Sequence, residues 1–131
     1  MQKEINTQTI DTDIALLPIS SMAAALNVHQ RTLRIYDKEG ILSPQRTDKN
    51  RRNYSLNDLE KAKLVLFLTR NLALNLSGVK IILTILEQNK IKPQNYIEYI
   101  NKMAKLSNID TNIQEDNIKK TSKRGRKPKN Q

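Results

Sequence analysis

With 131 residues, 37% of them apolar, and no cysteine, the chain can hold one small core plus extensions, and disulfides, thiolate metal sites and cysteine nucleophiles are excluded. Its formal net charge of +10 is clustered: residues 29–54 carry seven Lys/Arg against three acids, and residues 119–129 carry seven against none. Clustered positive charge predicts a polyanionic partner. DNA or RNA is favoured over a membrane, since no apolar run approaches the roughly 20 residues of a spanning helix and the basic stretches lack the apolar face of an interfacial one.

Residues 1–18 mix Thr, Gln, Asn and Asp with isolated apolar residues, without helical or strand periodicity, and read as a flexible arm that ends in an extended Leu17-Pro18-Ile19. The opening MQKEINTQTIDTD contains no apolar signal core, so a cytoplasmic, nucleoid-associated protein is expected. Ser20 suits the N-cap of a short helix whose Met22, Ala25 and Leu26 turn inward. Asn27-Val28 forms a turn, and a second helix starts near His29, with Leu33 and Tyr36 toward the first helix and Gln30, Arg31, Arg34 and Lys38 elsewhere. Gly40 ends it, as a residue tolerant of positive φ should.

After Ile41-Leu42-Ser43-Pro44, two extended pieces near Gln45–Thr47 and Arg52–Tyr54 flank the turn-forming Asp48-Lys49-Asn50-Arg51, the pattern of a basic hairpin. Ser55-Leu56-Asn57-Asp58 resembles a capping box, with Asp in place of Glu or Gln, and opens a helix to about Arg70 with Leu59, Ala62, Leu66 and Thr69 on one face. Asn75 caps the next helix, which reaches about Gln88. Its stripe is Val79, Ile82, Leu83 and Leu86, widened by Ile81 and Ile85. Pro93 opens a fifth helix to about Ser107. Its apolar positions, among them Tyr96, Ile97, Ile100 and Met103, exceed what a solvated helix tolerates and call for a partner surface. A second copy of the chain is the cheapest partner; packing back onto the same domain is the alternative. From Asn108 the sequence turns polar and ends in KKTSKRGRKPKNQ, which cannot bury enough apolar area to order itself.

Two helices around a short turn, the second basic at its start, are what insertion into a major groove requires. A basic hairpin immediately afterwards sharpens that signal. Arg46, Lys49, Arg51 and Arg52 would each neutralise phosphate charge, and Tyr54 offers a hydroxyl for one more contact. The plainer alternative is a solvated charged loop on an ordinary helical domain. His29 is the only histidine; it reads as a helix-start residue bonding backbone or phosphate, not as a metal ligand. Asp37 and Glu39 lie about 200° apart around a helix, a poor catalytic pair. With no nucleophile and base, no phosphate-cradling glycine loop and no metal cluster, neither an enzyme nor a cofactor is expected. In the tail, Lys123-Arg124-Gly125-Arg126-Lys127-Pro128 looks like an AT-hook, an auxiliary minor-groove element. It departs from that pattern because Lys127 intervenes before the proline, which leaves non-specific backbone attraction as the other reading.

The run Val28-His29-Gln30-Arg31-Thr32-Leu33-Arg34-Ile35-Tyr36-Asp37-Lys38-Glu39-Gly40-Ile41-Leu42, with Pro44, Arg46, Asn50-Arg51-Arg52-Asn53-Tyr54-Ser55 and Asp58-Leu59, resembles the MerR family of winged-helix transcription regulators over about residues 19–88. Arg34-Ile35-Tyr36, the Asn-Arg-Arg wing and Asn75-Leu76-Ser77-Gly78-Val79 are similar to its heat-shock repressor branch, the HspR type. The resemblance implies a mainly α fold: a winged helix-turn-helix with a small β-hairpin wing at 19–88, a C-terminal dimerisation helix at 89–110 and a disordered basic tail at 111–131. It also implies a homodimer joined through Tyr96, Ile97, Ile100 and Met103 on double-stranded DNA with an inverted repeat. By position, His29, Gln30, Arg31, Thr32, Arg34 and Lys38 fall to bases or phosphates, Tyr36 and Tyr54 to phosphates, and Arg46, Lys49, Asn50, Arg51 and Arg52 to wing contacts. With no cysteine and few, largely polar residues after Gln88, no small-molecule effector is expected, and regulation falls to a protein partner, a chaperone acting as corepressor. A promoter-distorting activator and a non-specific nucleoid protein are the competing functions.

Overall fold

The computed structural model describes residues 11–109 and 111; the expectations for residues 1–10 and for the tail, including Lys123, Arg124, Arg126 and Lys127, lie outside them. The described elements are β1 (Ala15–Pro18), α1 (Ile19–Leu26), α2 (Gln30–Lys38), β2 (Gln45–Arg46), β3 (Arg52–Ser55), α3 (Leu56–Asn71), α4 (Leu76–Gln88), a 3-10 turn (Pro93–Asn95) and α5 (Tyr96–Leu106). Two compact units divide between Glu60 and Lys61, inside α3.

In the first unit the wing is a three-stranded antiparallel sheet, ordered β1-β3-β2. The expected hairpin is present, with Gln45 opposite Asn53 and Arg46 opposite Arg52. The third strand, β1, occupies part of the supposed arm, pairing Ala15 with Ser55 and Leu17 with Tyr54. The register slips between Ala15 and Leu17, so Leu16 bulges outward and is 60% exposed. Burial still alternates along β1, with Ala15 and Leu17 inward of Leu16 and Pro18, but the outward Leu16 is apolar, so the two-residue pattern by which a strand is recognised is missing from the residue types. Upstream, Thr12 O accepts from Asn57 N at 3.0 Å, and Asn57 Nδ2 donates to Asp13 Oδ1. Residues 11–18 are therefore tied to the start of α3 and do not behave as a free arm.

Helix α1 starts two residues earlier than expected. Pro18 is its N-cap, without a side-chain hydrogen bond, which puts Ser20 inside the first turn. The buried positions are Met22, Ala23 and Leu26, and Ala25, expected inward, faces solvent. Asn27 ends the helix at φ 57, and Val28 N donates to Ala23 O at 3.0 Å, closing the turn that aims α2. Leu33 and Tyr36 bury one side of α2. At its far end Gly40 adopts φ 78, and Ile41 N reaches back to Tyr36 O at 2.8 Å, the reversal that favours glycine. It carries Ile41 and Leu42 into the core, where they are buried as fully as Met22, Leu33 and Tyr54.

Both expected caps in the rest of the chain are made. Ser55 Oγ accepts from Asp58 N and Asp58 Oδ2 accepts from Ser55 N, each at 3.0 Å. Asn75 Oδ1 accepts from Gly78 N at 2.9 Å. In the second unit the buried face of α3 is Ala62, Leu64, Val65 and Leu68, rotated from the stripe of Leu59, Leu66 and Thr69 expected from spacing. Helix α4 buries Val79, Leu83 and Leu86. Ile81 and Ile85 do not widen that stripe: each is two residues, about 200°, from Leu83, and they are 61% and 47% exposed. Lys61 of α3 and Glu87 of α4 form an ion pair at 3.4 Å. On α5, Tyr96, Ile100 and Ala104 are buried within the single chain. Burial, with the Glu87 carboxylate adding to it, pushes the Tyr96 phenol above its ordinary pKa. This corrects the expectation that Tyr96 and Ile100 await a partner, because their i, i+4 spacing closes the subunit's own core. Ile97 and Met103 are half-buried and Leu106 is 74% exposed.

Candidate nucleic-acid interface

Helix α2 and the hairpin β2–β3 assemble the candidate surface. Because Leu33 and Tyr36 anchor one side of the helix, His29, Arg31, Arg34, Ile35 and Lys38 are exposed, while Gln30 and Thr32 are half-buried at its first turn. His29 is the N-cap, and its ring makes no capping hydrogen bond, so the backbone bond expected of it is absent. The first turn's free N–H groups and the positive end of the helix dipole favour an anion there. Arg34 Nη2 donates to Gln30 Oε1 at 3.1 Å, an i, i+4 pair that holds both polar ends on one exposed strip.

The hairpin tip is built by Thr47. Its N–H donates to Arg51 O at 2.8 Å, its carbonyl accepts from Asn50 N at 2.8 Å, and its Oγ1 accepts from Arg51 N at 3.1 Å. Asn50 takes φ 62, a left-handed position that asparagine tolerates and that closes a three-residue hairpin loop. This geometry leaves Asp48, Lys49, Asn50 and Arg51 exposed. Among the described residues neither Lys49 nor Arg51 is in an ion pair.

Arg46 and Arg52 behave differently. Asp37, on α2, accepts from Arg52 Nε at 2.8 Å and from Arg46 Nη2 at 3.2 Å through the same oxygen, Oδ2. Arg46 Nη1 also lies 3.4 Å from Asn50 O and from Asn50 Oδ1. The two arginines thus fasten the wing to the helix, with part of their charge neutralised by Asp37. Sequence reasoning set Asp37 aside as half of a poor catalytic pair. Nothing local marks it, since its partners lie nine and fifteen residues away.

The tyrosines depart further from expectation. Tyr54 is 0% exposed, and among the described residues its hydroxyl has no hydrogen-bond partner. Tyr36 is 5% exposed. Both residues belong to the buried core. Burial raises the Tyr54 pKa above its ordinary value, with Arg52 opposing and Asp37 reinforcing that shift.

Among the described residues no group of three or more His, Cys, Asp or Glu is placed to hold a metal ion, and no helix is long and apolar enough to cross a membrane.

The sequence pattern of the MerR HTH family of regulatory proteins matches residues 17–85, more than half of the chain. This chain belongs to the MerR family. Residues 17–85 carry the helix-turn-helix of that family of regulatory proteins. A Streptomyces coelicolor protein described as heat shock protein HspR is 35% identical over 80 residues, 61% of this chain and 52% of that protein; the chain thus spans about half the length of this curated relative. A crystal structure of a MerR-family transcriptional regulator from Bacillus cereus is similar at 24% identity and a TM-score of 0.45, covering 90% of this chain and 88% of that one.

Proposed function

We propose that this MerR-family regulator is a repressor of heat-shock and chaperone genes that binds an inverted-repeat operator as a homodimer. The observation carrying this reading is the polar strip of α2, with Arg31, Arg34 and Lys38 exposed and Gln30 half-buried beside them, on a helix bonded to a basic wing through Asp37. Such a helix enters a major groove by its first turns. Gln30, Arg31 and Arg34 then meet base edges or adjacent phosphates, with His29 and Thr32 at the helix start and Lys38 toward the backbone. Lys49, Asn50 and Arg51 meet the flanking phosphates, and Arg46 and Arg52 support the wing while turning their remaining N–H groups to DNA. Similarity to the Streptomyces heat shock protein HspR supports the choice of target genes.

In this reading residues 19–88 are the DNA-binding domain, 89–110 the dimerisation segment and 111–131 an auxiliary basic tail. With Tyr96 and Ile100 used inside the subunit, the dimer contact falls to Met103 and Leu106 of α5 and the exposed Ile81 and Ile85 of α4. Regulation comes from a chaperone corepressor and not from a small-molecule effector. Genome-wide mapping of bound sites before and after heat shock tests the proposal. Protected inverted repeats upstream of chaperone genes, vacated on heating, are expected. Equal affinity for operator and random duplex at physiological salt would replace it with a non-specific nucleoid role. A fall of target transcripts on deleting the gene would replace it with activation.

A further inference from the structure

Helix α2 leaves one of its three large apolar side chains outside the core. Leu33 and Tyr36 are 0% and 5% exposed, whereas Ile35 is 42% exposed. A single exposed isoleucine is ordinary on a protein surface; the neighbours of this one are not. At about 100° per residue, Arg31 lies about 40° and Lys38 about 60° from Ile35 around the helix, both of them exposed, and the exposed Arg34 precedes it. Asp37, which bonds the wing, is about 160° away on the other flank. Ile35 therefore stands on the outward strip of α2 among three cations, on the side away from the wing's attachment.

Helix propensity does not call for it, since a β-branched residue is a poorer helix former than the straight-chain residues. An apolar protein surface is a poor occupant of this face, because docking on Ile35 would strip water from the cations around it. A polyanion is drawn by those same cations. Phosphates satisfy Arg31, Arg34 and Lys38 and leave Ile35 facing the groove between them. Among the edge groups that a major groove displays, the C5 methyl of thymine is the apolar one.

We propose that Ile35 packs against a thymine C5 methyl in the major groove and so selects a T·A base pair at one position in each half of the operator. The inference deepens the operator-binding reading and rests on it. Gln30, Arg31 and Arg34 read donors and acceptors, and Ile35 adds a test of shape and burial. Its stiff χ1 leaves little rotamer freedom to lose on contact, so even a small buried area counts toward discrimination.

In vitro selection from a random duplex library with the full chain supplies the operator, and deoxyuridine in place of thymidine, one position at a time, then strips only the C5 methyl. One thymidine in each half of the repeat should weaken binding about fourfold when so replaced, the worth of one buried methyl group. That penalty should vanish in Ile35→Ala, shrink in Ile35→Val and persist in Thr32→Ser, with the salt slope unchanged because no charge is removed. The deoxyuridine scan on the parent protein stands whether or not a variant folds. An operator indifferent to every replacement, or a penalty as large in Ile35→Ala as in the parent, would overturn the proposal and leave operator binding intact. A penalty lost in Thr32→Ser instead would give the methyl contact to Thr32 and overturn it equally. Selection that enriches no sequence would overturn the operator-binding reading and this inference together.

Discussion

Asp37 on α2 accepts a 2.8 Å hydrogen bond from Arg52 Nε on β3, and both side chains are only 22% exposed. That half-buried pair, extended by Arg46 at 3.2 Å, links the helix to the wing. Asp37→Asn should lower folding stability by no more than about 1 kcal/mol, since partly exposed ion pairs contribute little. Its effect on binding should be larger and opposite for two kinds of DNA. Removing a carboxylate from a cationic surface raises affinity for random duplex, while loosening the wing weakens the operator complex, so discrimination should drop about fivefold to tenfold. Titrations against both duplexes at two salt concentrations measure this. A parallel loss on both would show that Asp37 does not position the wing.

Tyr54→Phe separates a core role from a phosphate contact. The hydroxyl is buried without a partner, and leaving such a group unsatisfied costs roughly 1–3 kcal/mol. The variant should therefore be as stable as the parent at pH 7, or more stable by about 1 kcal/mol in urea unfolding. The raised phenol pKa adds a pH signature. An acid whose folded pKa lies above its unfolded value of 10.0 is fully stabilising below pH 10, and that contribution is lost as pH rises through the folded value. Alkaline destabilisation should begin above pH 10 in the parent and be shallower in Tyr54→Phe. Operator affinity should not change, and a tenfold loss would return the hydroxyl to the DNA surface.

The contrast between Tyr54 and the caps shows what the sequence can reveal. Ser55, Asp58 and Asn75 satisfy backbone donors within three residues of themselves, so their roles are readable from spacing, as are the turn at Asn27 and the stop at Gly40. Strand β1 is hidden because its exposed Leu16 is apolar like the inward Leu17, so the alternation present in burial is missing from the residue types. Whether Tyr54 points to water or to the core depends on α1 and on the reversal at Gly40, and motif position carries neither. Asp37 is the clearest gap. Its function exists only once β3 lies beside α2, fifteen residues on. The outward Ile81 and Ile85 show that counting apolar residues overstates a helix's buried stripe when two of them sit half a turn from its centre.

The capping box at the head of α3 makes a stability prediction that does not depend on DNA. Ser55 and Asp58 each supply one side-chain acceptor to the other's N–H at 3.0 Å, and Ser55 is buried. Ser55→Ala and Asp58→Ala should each cost about 1 kcal/mol. The double variant should cost less than the sum, since losing one bond loosens the turn that aligns the other. Urea midpoints of the three variants measure this, and strict additivity would mean that the two bonds act separately.

The division of labour between helix and wing predicts different signatures for neighbouring arginines. Arg34 stands on the exposed strip of α2, steadied by Gln30 at 3.1 Å, where a guanidinium can pair with a guanine edge. Arg34→Ala should cost about 1–3 kcal/mol on the operator and little on random duplex, narrowing the specificity ratio. Lys49 and Arg51 sit on a hairpin tip whose backbone is closed by Thr47, a geometry suited to phosphate. Lys49→Ala or Arg51→Ala should weaken every sequence about equally and reduce the salt slope by about one. Binding isotherms across salt for operator and random DNA distinguish the two patterns. Should Arg34→Ala lower the salt slope without touching discrimination, base reading would have to move to Gln30 and Arg31, and Arg34 would join the wing as a backbone clamp.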